Sequence, residues 1–358
     1  MTVAHINRIG TAVPDHDVHA AFLAFARTLL PDAKGRSVFD RMAERSGIGH
    51  RFSFFAPGRL EAGEVDASGF YQRGRFPSTG ARMRLYAPWA LELAMRAIGN
   101  LGIASELPRI THVIVASCTG FTAPGLDLQL AERLGLSSGV ERSVIGFMGC
   151  SAAVPALRAA RNAVLADPGA RVLVVNLELC SLHLQETADL ETILSFLLFG
   201  DGCAAALVTA DPVGIALGDF RAAIIPESQD LITWHIGDQG FDMRLSGKVP
   251  GRIASVLRDE LARGDAAGLL RGEGTQAIEH WAVHAGGRTV LDAVEIGLQL
   301  DPSALVHSRA VLQAYGNMSS ATVMFVLHRM MQVRSGTGMA MAFGPGMVAE
   351  TFRFRLAA

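Results

Sequence analysis

Four apolar runs of strand length, THVIVASC (111–118), RSVIGF (142–147), RVLVVNLEL (171–179) and CAAALVTA (203–210), alternate with helical patterns over 125–135, 151–166 and 186–198. Runs this apolar suit strands covered on both faces, and the alternation predicts helices packed on either side of a sheet. After Asp211-Pro212 the order resumes with VGIALGDFRAAII (213–225), a helix over 249–269 and IEHWAVHA (278–285). A helix from Arg288, another over 318–333 and a closing strand pair around GMAMAF and MVAETFRFRL complete the chain. Similar element order in two halves, 1–212 and 213–358, predicts a duplicated α/β architecture, although no repeat of fixed period marks it in the sequence. At 358 residues the chain is long enough for two core-forming units.

Half of the residues are hydrophobic, 18% are charged and the formal charge is −2. That balance carries no electrostatic footprint for nucleic acid or for an anionic membrane. No window approaches the roughly 18 uncharged apolar residues of a membrane span, and the N-terminus lacks the basic start and apolar core of a signal peptide. A cytoplasmic protein is expected. Its four cysteines, Cys118, Cys150, Cys180 and Cys203, lack paired metal-ribbon spacing, so a reducing compartment would keep them as thiols and no metal site is expected.

One cysteine stands apart. In VIGFMGCSAAVPALRAARN (144–162), Cys150 sits at the corner between an apolar run and an alanine-rich helix. The partial positive charge of a helix N-terminus favours thiolate over thiol there, and Pro155 is tolerated in a first helical turn. Two more polar residues occupy glycine-flanked element ends: His284 in HWAVHAGGRTVLD and Asn317 in AYGNMSSATVMFVL. Taken singly, such a cysteine is an ordinary small buried residue, the histidine a structural hydrogen-bonding group and the asparagine an N-cap. Together they make a nucleophile, a base and an amide donor.

The motifs MGCSAA, LFGDGCAA, WAVHAGG, YGNMSSA and FGPG resemble, in order and spacing, the type III polyketide synthases, the family that includes chalcone synthase. The resemblance runs from about Phe39 to the C-terminus. It implies a thiolase-like fold, two duplicated βαβ halves forming a layered αβαβα core, assembled as a homodimer. It also implies an acyltransferase whose substrates are malonyl-CoA and an acyl-CoA starter, with no cofactor beyond these CoA thioesters. Cys150 then carries the acyl chain, with His284 and Asn317 as its partners. An imidazolium beside the cysteine would stabilise the thiolate. His284 and Asn317 would donate to the malonyl thioester carbonyl, so that loss of carbon dioxide leaves an enolate in an oxyanion hole.

The resemblance also assigns the surroundings. Phe199 matches a gatekeeper phenylalanine at the junction of the CoA tunnel and the cavity, while Met243 stands where plant members carry a second aromatic gate. Arg41 and Arg45, four residues apart and so on one face of a helix, match cations used for CoA; Val38 occupies a third such position, which thins the clamp. Cys118, Thr119, Ala123, Cys180, His183, Trp234 and Phe241 are expected to line the cavity with Met243, and Ser319, Gly344, Pro345 and Gly346 to complete it.

Small Thr119 and Cys180 would leave room for an acyl tunnel, whereas Trp234 and His183 would narrow an aromatic-starter pocket. That combination favours a medium or long linear fatty acyl-CoA starter, with alkylpyrones or alkylresorcinols as products. Cys118 also matches a cysteine of bacterial synthases that build tetrahydroxynaphthalene from malonyl-CoA alone, which stays open as the alternative. A carrier-protein-dependent ketosynthase of fatty-acid initiation shares the Cys, His and Asn logic, but GNMSSA and FGPG argue against it.

Overall fold

The computed structural model describes residues 2–62, 64–333 and 335–356. Its first half supplies strands β1 (His5–Ala12), β4 (His112–Ala116), β5 (Glu141–Ile145), β6 (Val172–Leu179) and β7 (Asp201–Thr209). The second half supplies β8 (Ile215–Ile224), β11 (His280–Val283), β12 (Gly336–Gly344) and β13 (Val348–Leu356). They form one nine-stranded sheet in the order β11-β12-β13-β8-β1-β7-β6-β4-β5.

The duplication expected from element order is visible in the pairing. In each half the first strand pairs antiparallel with the last, β1 with β7 and β8 with β13. The last strand in turn pairs antiparallel with the one before it, β7 with β6 and β13 with β12. That strand then runs parallel to the next one out, β6 to β4 and β12 to β11. The halves join where β1 meets β8 at His5–Ala216 and Ile6–Ile215.

Side-chain alternation along the strands separates the layers. Ile114, Ala116, Val172 and Val174, with Ala282, Ala340 and Ala342 from the other half, share one core with α5 (Ala153–Ala166) and α10 (Thr322–Met330). The intervening residues Val113, Val115, Leu173 and Val175 face α3 (Thr79–Leu101) and α4 (Leu126–Arg133). Trp281, Val283, Met339 and Met341 face α7 (Val249–Arg263) and α8 (Arg288–Leu298). The result is the expected α/β/α/β/α layering. The alanines of α5 let both sheet halves close on the central layer.

Several elements differ from expectation. The helix expected over 249–269 stops at Arg263, because Gly264 turns the chain into the left-handed region (φ +58). The helix expected over 318–333 spans Thr322–Met330, after a single tight turn at Ser319–Ala321. The segment TWHIGDQGFDM belongs to a hairpin, β9 (Ile232–Gly237) and β10 (Gly240–Leu245), joined by the two residues Asp238 and Gln239. A small outer layer is built from α1 (His19–Leu29), α2 (Ala33–Arg45), the pair β2 (His16–Asp17) and β3 (Phe52–Ser53), and α6 (Leu190–Leu198). Helix α9 (Val306–Tyr315) leads to Asn317.

Candidate active site

After β5 the chain reverses through Phe147 (φ +54) and Gly149 (φ +54) into a one-turn helix, Gly149–Ser151, which carries Cys150; α5 follows from Ala153. A side chain at 149 would sit 2.6 Å from Cδ of Pro345, so glycine is required by both backbone conformation and close approach. Non-glycine left-handed backbone recurs at Ser319 and Met347, on the two other loops that converge here. Such positions cost roughly 1–3 kcal/mol each and persist only where surrounding packing imposes them.

Asn317 is held by its backbone and by one side-chain atom. Its N–H donates to Leu198 O (2.8 Å) and its carbonyl accepts from Gly200 N–H (3.0 Å), a bridge that ties it to Phe199. Its Oδ1 accepts from Ser319 N–H (2.8 Å) and the Thr322 hydroxyl (3.3 Å). That fixes the amide, so Nδ2 faces Gly286 O (3.2 Å) and the Cys150 sulfur (3.8 Å). The capping role and the cavity role therefore coexist in one side chain.

His284 follows directly on β11, is 2% exposed, and has no hydrogen-bond partner at either ring nitrogen. Burial pushes its imidazole down to about 3, which keeps it neutral. Cys150 is only half-buried as a residue, yet desolvation around its sulfur pushes the thiol up to about 11, against the opposing hydrogen bonds of Asn317 and Ser319. Both shifts run against the charged forms expected here, a thiolate favoured by the helix start and by a neighbouring imidazolium, because burial disfavours either charge.

Cys150, His284 and Asn317 line one cavity together with Phe199. Cys118, Thr119, Cys180, Trp234 and Met243 belong to its wall, as do Ser319, Gly344 and Pro345. Four expected residues do not reach it. Ala123 is exposed on the loop before α4, and Gly346 lies in a turn with open space around it. His183 and Phe241 are buried behind the wall, stacked 4.2 Å apart. His183 Nε2–H donates to Thr119 O (2.7 Å) and Nδ1 accepts from Phe241 N–H (3.0 Å), so it braces the loop instead of narrowing the pocket. Trp234 donates to Cys118 O (2.9 Å), which pins the hairpin over the site.

A second cavity, lined by Phe22, Phe25, Phe55, Tyr71 and Phe196 with Arg51 and Asp66 also at its wall, shares Cys180 and Phe199 with the first. Those two side chains are the partition. Thr119 has no such freedom: its hydroxyl donates to Glu178 (2.9 Å) and accepts from Leu179 N–H (2.8 Å).

Glu178 was missed by sequence reasoning. Wholly buried, it accepts from Cys118 N–H (2.9 Å), the Thr119 hydroxyl (2.9 Å) and the Ser320 hydroxyl (2.6 Å), and desolvation pushes its carboxyl up to about 7. It ties the two loops that flank Cys150. The available signal was one acid inside the apolar run VLVVNLEL, where an unpartnered carboxylate would be untenable.

Arg41 and Arg45 project from the last turns of α2, exposed and outside the cavity; neither joins an ion pair among the described residues. No group of three His, Cys, Asp or Glu among the described residues is placed to hold a metal ion.

Residues 2–212 match the family described as chalcone and stilbene synthases, N-terminal domain, and residues 219–357 match its C-terminal domain. The chain is 31% identical to the alpha-pyrone synthesis polyketide synthase-like Pks18 of Mycobacterium tuberculosis, over 99% of this chain and 91% of that one. It is 34% identical to bisdemethoxycurcumin synthase of Oryza sativa subsp. japonica, over 87% of this chain and 81% of that protein. Among solved structures, PKS-I from the brown alga Ectocarpus siliculosus superposes with a TM-score of 0.86 at 31% identity, covering 100% of this chain and 99% of that one.

Proposed function

We infer, for a chain that belongs to the chalcone and stilbene synthase family of type III polyketide synthases, that the Cys150 cavity is where malonyl-CoA is decarboxylated and condensed onto an acyl chain. Family membership makes the protein an acyltransferase that extends an acyl-CoA starter with malonyl-CoA. The observation that carries the residue assignment is His284: a buried imidazole with both nitrogens unpartnered, in one cavity with a cysteine sulfur and an amide donor. Leaving such a group unpaired costs about 1–3 kcal/mol, which a substrate carbonyl repays.

The roles follow from protonation. As the Cys150 sulfur attacks an acyl-CoA carbonyl, its proton passes to His284 and then to the departing CoA thiolate. Neutral His284 and Asn317 Nδ2 next donate to the malonyl thioester oxygen while carbon dioxide leaves, and the enolate forms against both donors. The enolate carbon attacks the Cys150 thioester, releasing the thiolate and a CoA-bound chain two carbons longer. The apolar wall, with Phe199 at its side, limits water that would protonate the enolate first.

The starter proposed is a medium to long linear acyl-CoA, cyclised after extension to an alkylpyrone or alkylresorcinol. The second cavity behind Cys180 supports it, because each methylene buried against its Phe22, Phe25, Phe55 and Phe196 side contributes roughly 0.8 kcal/mol. Incubation with malonyl-CoA and a panel of acyl-CoAs, without carrier protein, tests the function by product mass. Cys180→Phe should lower kcat/KM for decanoyl-CoA relative to hexanoyl-CoA by about tenfold or more, and Cys180→Ala should not. Thr119 is the poorer position to enlarge, since its hydroxyl satisfies Glu178 and Leu179. A naphthol made from malonyl-CoA alone, with longer starters ignored, would overturn the starter assignment; dependence on a carrier protein would overturn the function.

A homodimer is also proposed. β5 is one of the sheet's two edge strands, and no residue from Glu141 to Cys150 is buried. Val144 is 51% exposed, and Phe121, 41% exposed, stacks on Phe147 alongside. An unpaired edge with apolar side chains is a template for a second copy of itself. Sedimentation at micromolar concentration should show a dimer, and Val144→Asp should shift it toward monomer. A wild-type monomer would refute this.

No helix among the described residues is long and apolar enough to cross a membrane, and all four cysteines are free. A reducing cytoplasm suits both the thiols and the CoA substrates.

A further inference from the structure

Helix α6 ends at Phe199, on the wall of the catalytic cavity, where the last carbonyls of a helix lack partners within it. Three of these carbonyls are met from outside. Arg51 Nη1 donates to Phe196 O (2.8 Å) and to Phe199 O (2.6 Å), and the N–H of Asn317 donates to Leu198 O (2.8 Å). One guanidinium and one backbone amide therefore set where the helix stops and where Phe199 leaves it. A cation there also complements the partial negative charge of a helix C-terminus.

Arg51 lies just before β3 and is 3% exposed. Its Nε donates to His19 Nδ1 (3.0 Å) at the start of α1, and burial pushes that imidazole down to about 4, which keeps it a neutral acceptor. The guanidinium lies 4.5 Å from the centre of the Phe22 ring. Burial lowers Arg51 only to about 10, so it stays charged. Two glycines of the site close on its stem: a Cβ at Gly316 would fall 2.7 Å from Arg51 Cγ, and one at Gly200 would fall 3.3 Å from Arg51 Cβ. Gly316 precedes Asn317 and Gly200 follows Phe199. The N–H of Gly200 donates to Asn317 O (3.0 Å), so the two segments that Arg51 packs against are also bonded to each other.

We propose that Arg51 is a positioning residue that sets the Phe199 side chain and the Asn317 donor together, and so governs how often the enolate meets the acyl thioester before it meets water. This rests on the reading of the Cys150 cavity as the condensation site. Phe199 and Asn317 line that cavity, whereas Arg51 stands at the wall of the second one and acts through their backbone. An enolate that attacks the Cys150 thioester leaves as an extended chain. One that takes a proton from water leaves as acetyl-CoA, so the ratio of the two products reports the positioning.

Arg51→Met keeps the length of the stem and removes every guanidinium donor. It should raise acetyl-CoA relative to extended product by about threefold to tenfold, within the range that a small displacement of reacting groups commands. Arg51→Lys retains a charge at the helix end and should fall between Arg51→Met and the wild type. His19→Phe keeps a ring, removes the acceptor of Arg51 Nε, and should shift the ratio the same way by less. A change that only lowered the folded fraction would reduce both products equally and leave the ratio alone. An unchanged ratio in Arg51→Met overturns the proposal; if that variant does not fold, an unchanged ratio in both Arg51→Lys and His19→Phe overturns it. Failure of the wild-type protein to release carbon dioxide from malonyl-CoA would instead defeat the reading of the cavity.

Discussion

Cys150→Ala is expected to abolish covalent acyl loading and lower condensation by roughly a thousandfold or more, the scale seen when a catalytic nucleophile is deleted. Decarboxylation of malonyl-CoA should persist in measurable amount, because the donors facing the enolate are His284 and Asn317 and both remain. The cavity tolerates the change: the contacts of the Cys150 sulfur with the Asn317 amide are long, 3.8 and 4.0 Å. Intact mass after incubation with an acyl-CoA reads the adduct, and release of carbon dioxide reads the second activity. An acyl adduct on the Cys150→Ala protein would defeat the assignment.

Removing either enolate donor should slow decarboxylation by roughly a hundredfold or more, the usual scale for one such hydrogen bond. The two positions need different variants. His284→Ala removes a side chain with no partner in the protein, so folding should survive it; it should also slow acyl loading, because the Cys150 proton loses its acceptor. Asn317→Ala removes the donor and, with it, the oxygen that caps Ser319 and Thr322. Asn317→Asp keeps that oxygen and loses only the donor. Comparable losses of decarboxylation in the Ala and Asp variants, with loading retained better than in His284→Ala, are the expected outcome. Normal decarboxylation by Asn317→Asp would remove Nδ2 from the mechanism.

Much of this arrangement was legible in local pattern. Strands β4, β6, β7 and β11 declare themselves as apolar runs because both of their faces are covered by helices. The hairpin β9–β10 did not, since most of its residues are only partly buried and Ile232, Trp234, Met243 and Leu245 face a cavity instead of a packed layer. Helix α3 is punctuated by an N-cap at Ser78 and a left-handed Gly102 at its end, but Pro88 inside it interrupts the helical pattern. His183 and Phe241 satisfy each other behind the wall, a pairing across 58 residues that no window of sequence contains.

What the sequence by itself determined was chemistry at corners. A cysteine after a left-handed glycine, a histidine before two glycines and an asparagine after another are constrained by their immediate neighbours, because backbone conformation is a local property. The tertiary structure alone decided everything that depends on distance through space. It decided the empty hydrogen-bonding positions of His284, the desolvation that holds Cys150 as a thiol and the partition formed by Cys180 and Phe199. Electrostatic energies, hydration and packing are set by which atoms are neighbours, and only the folded nine-stranded sheet with its helical layers makes those residues neighbours.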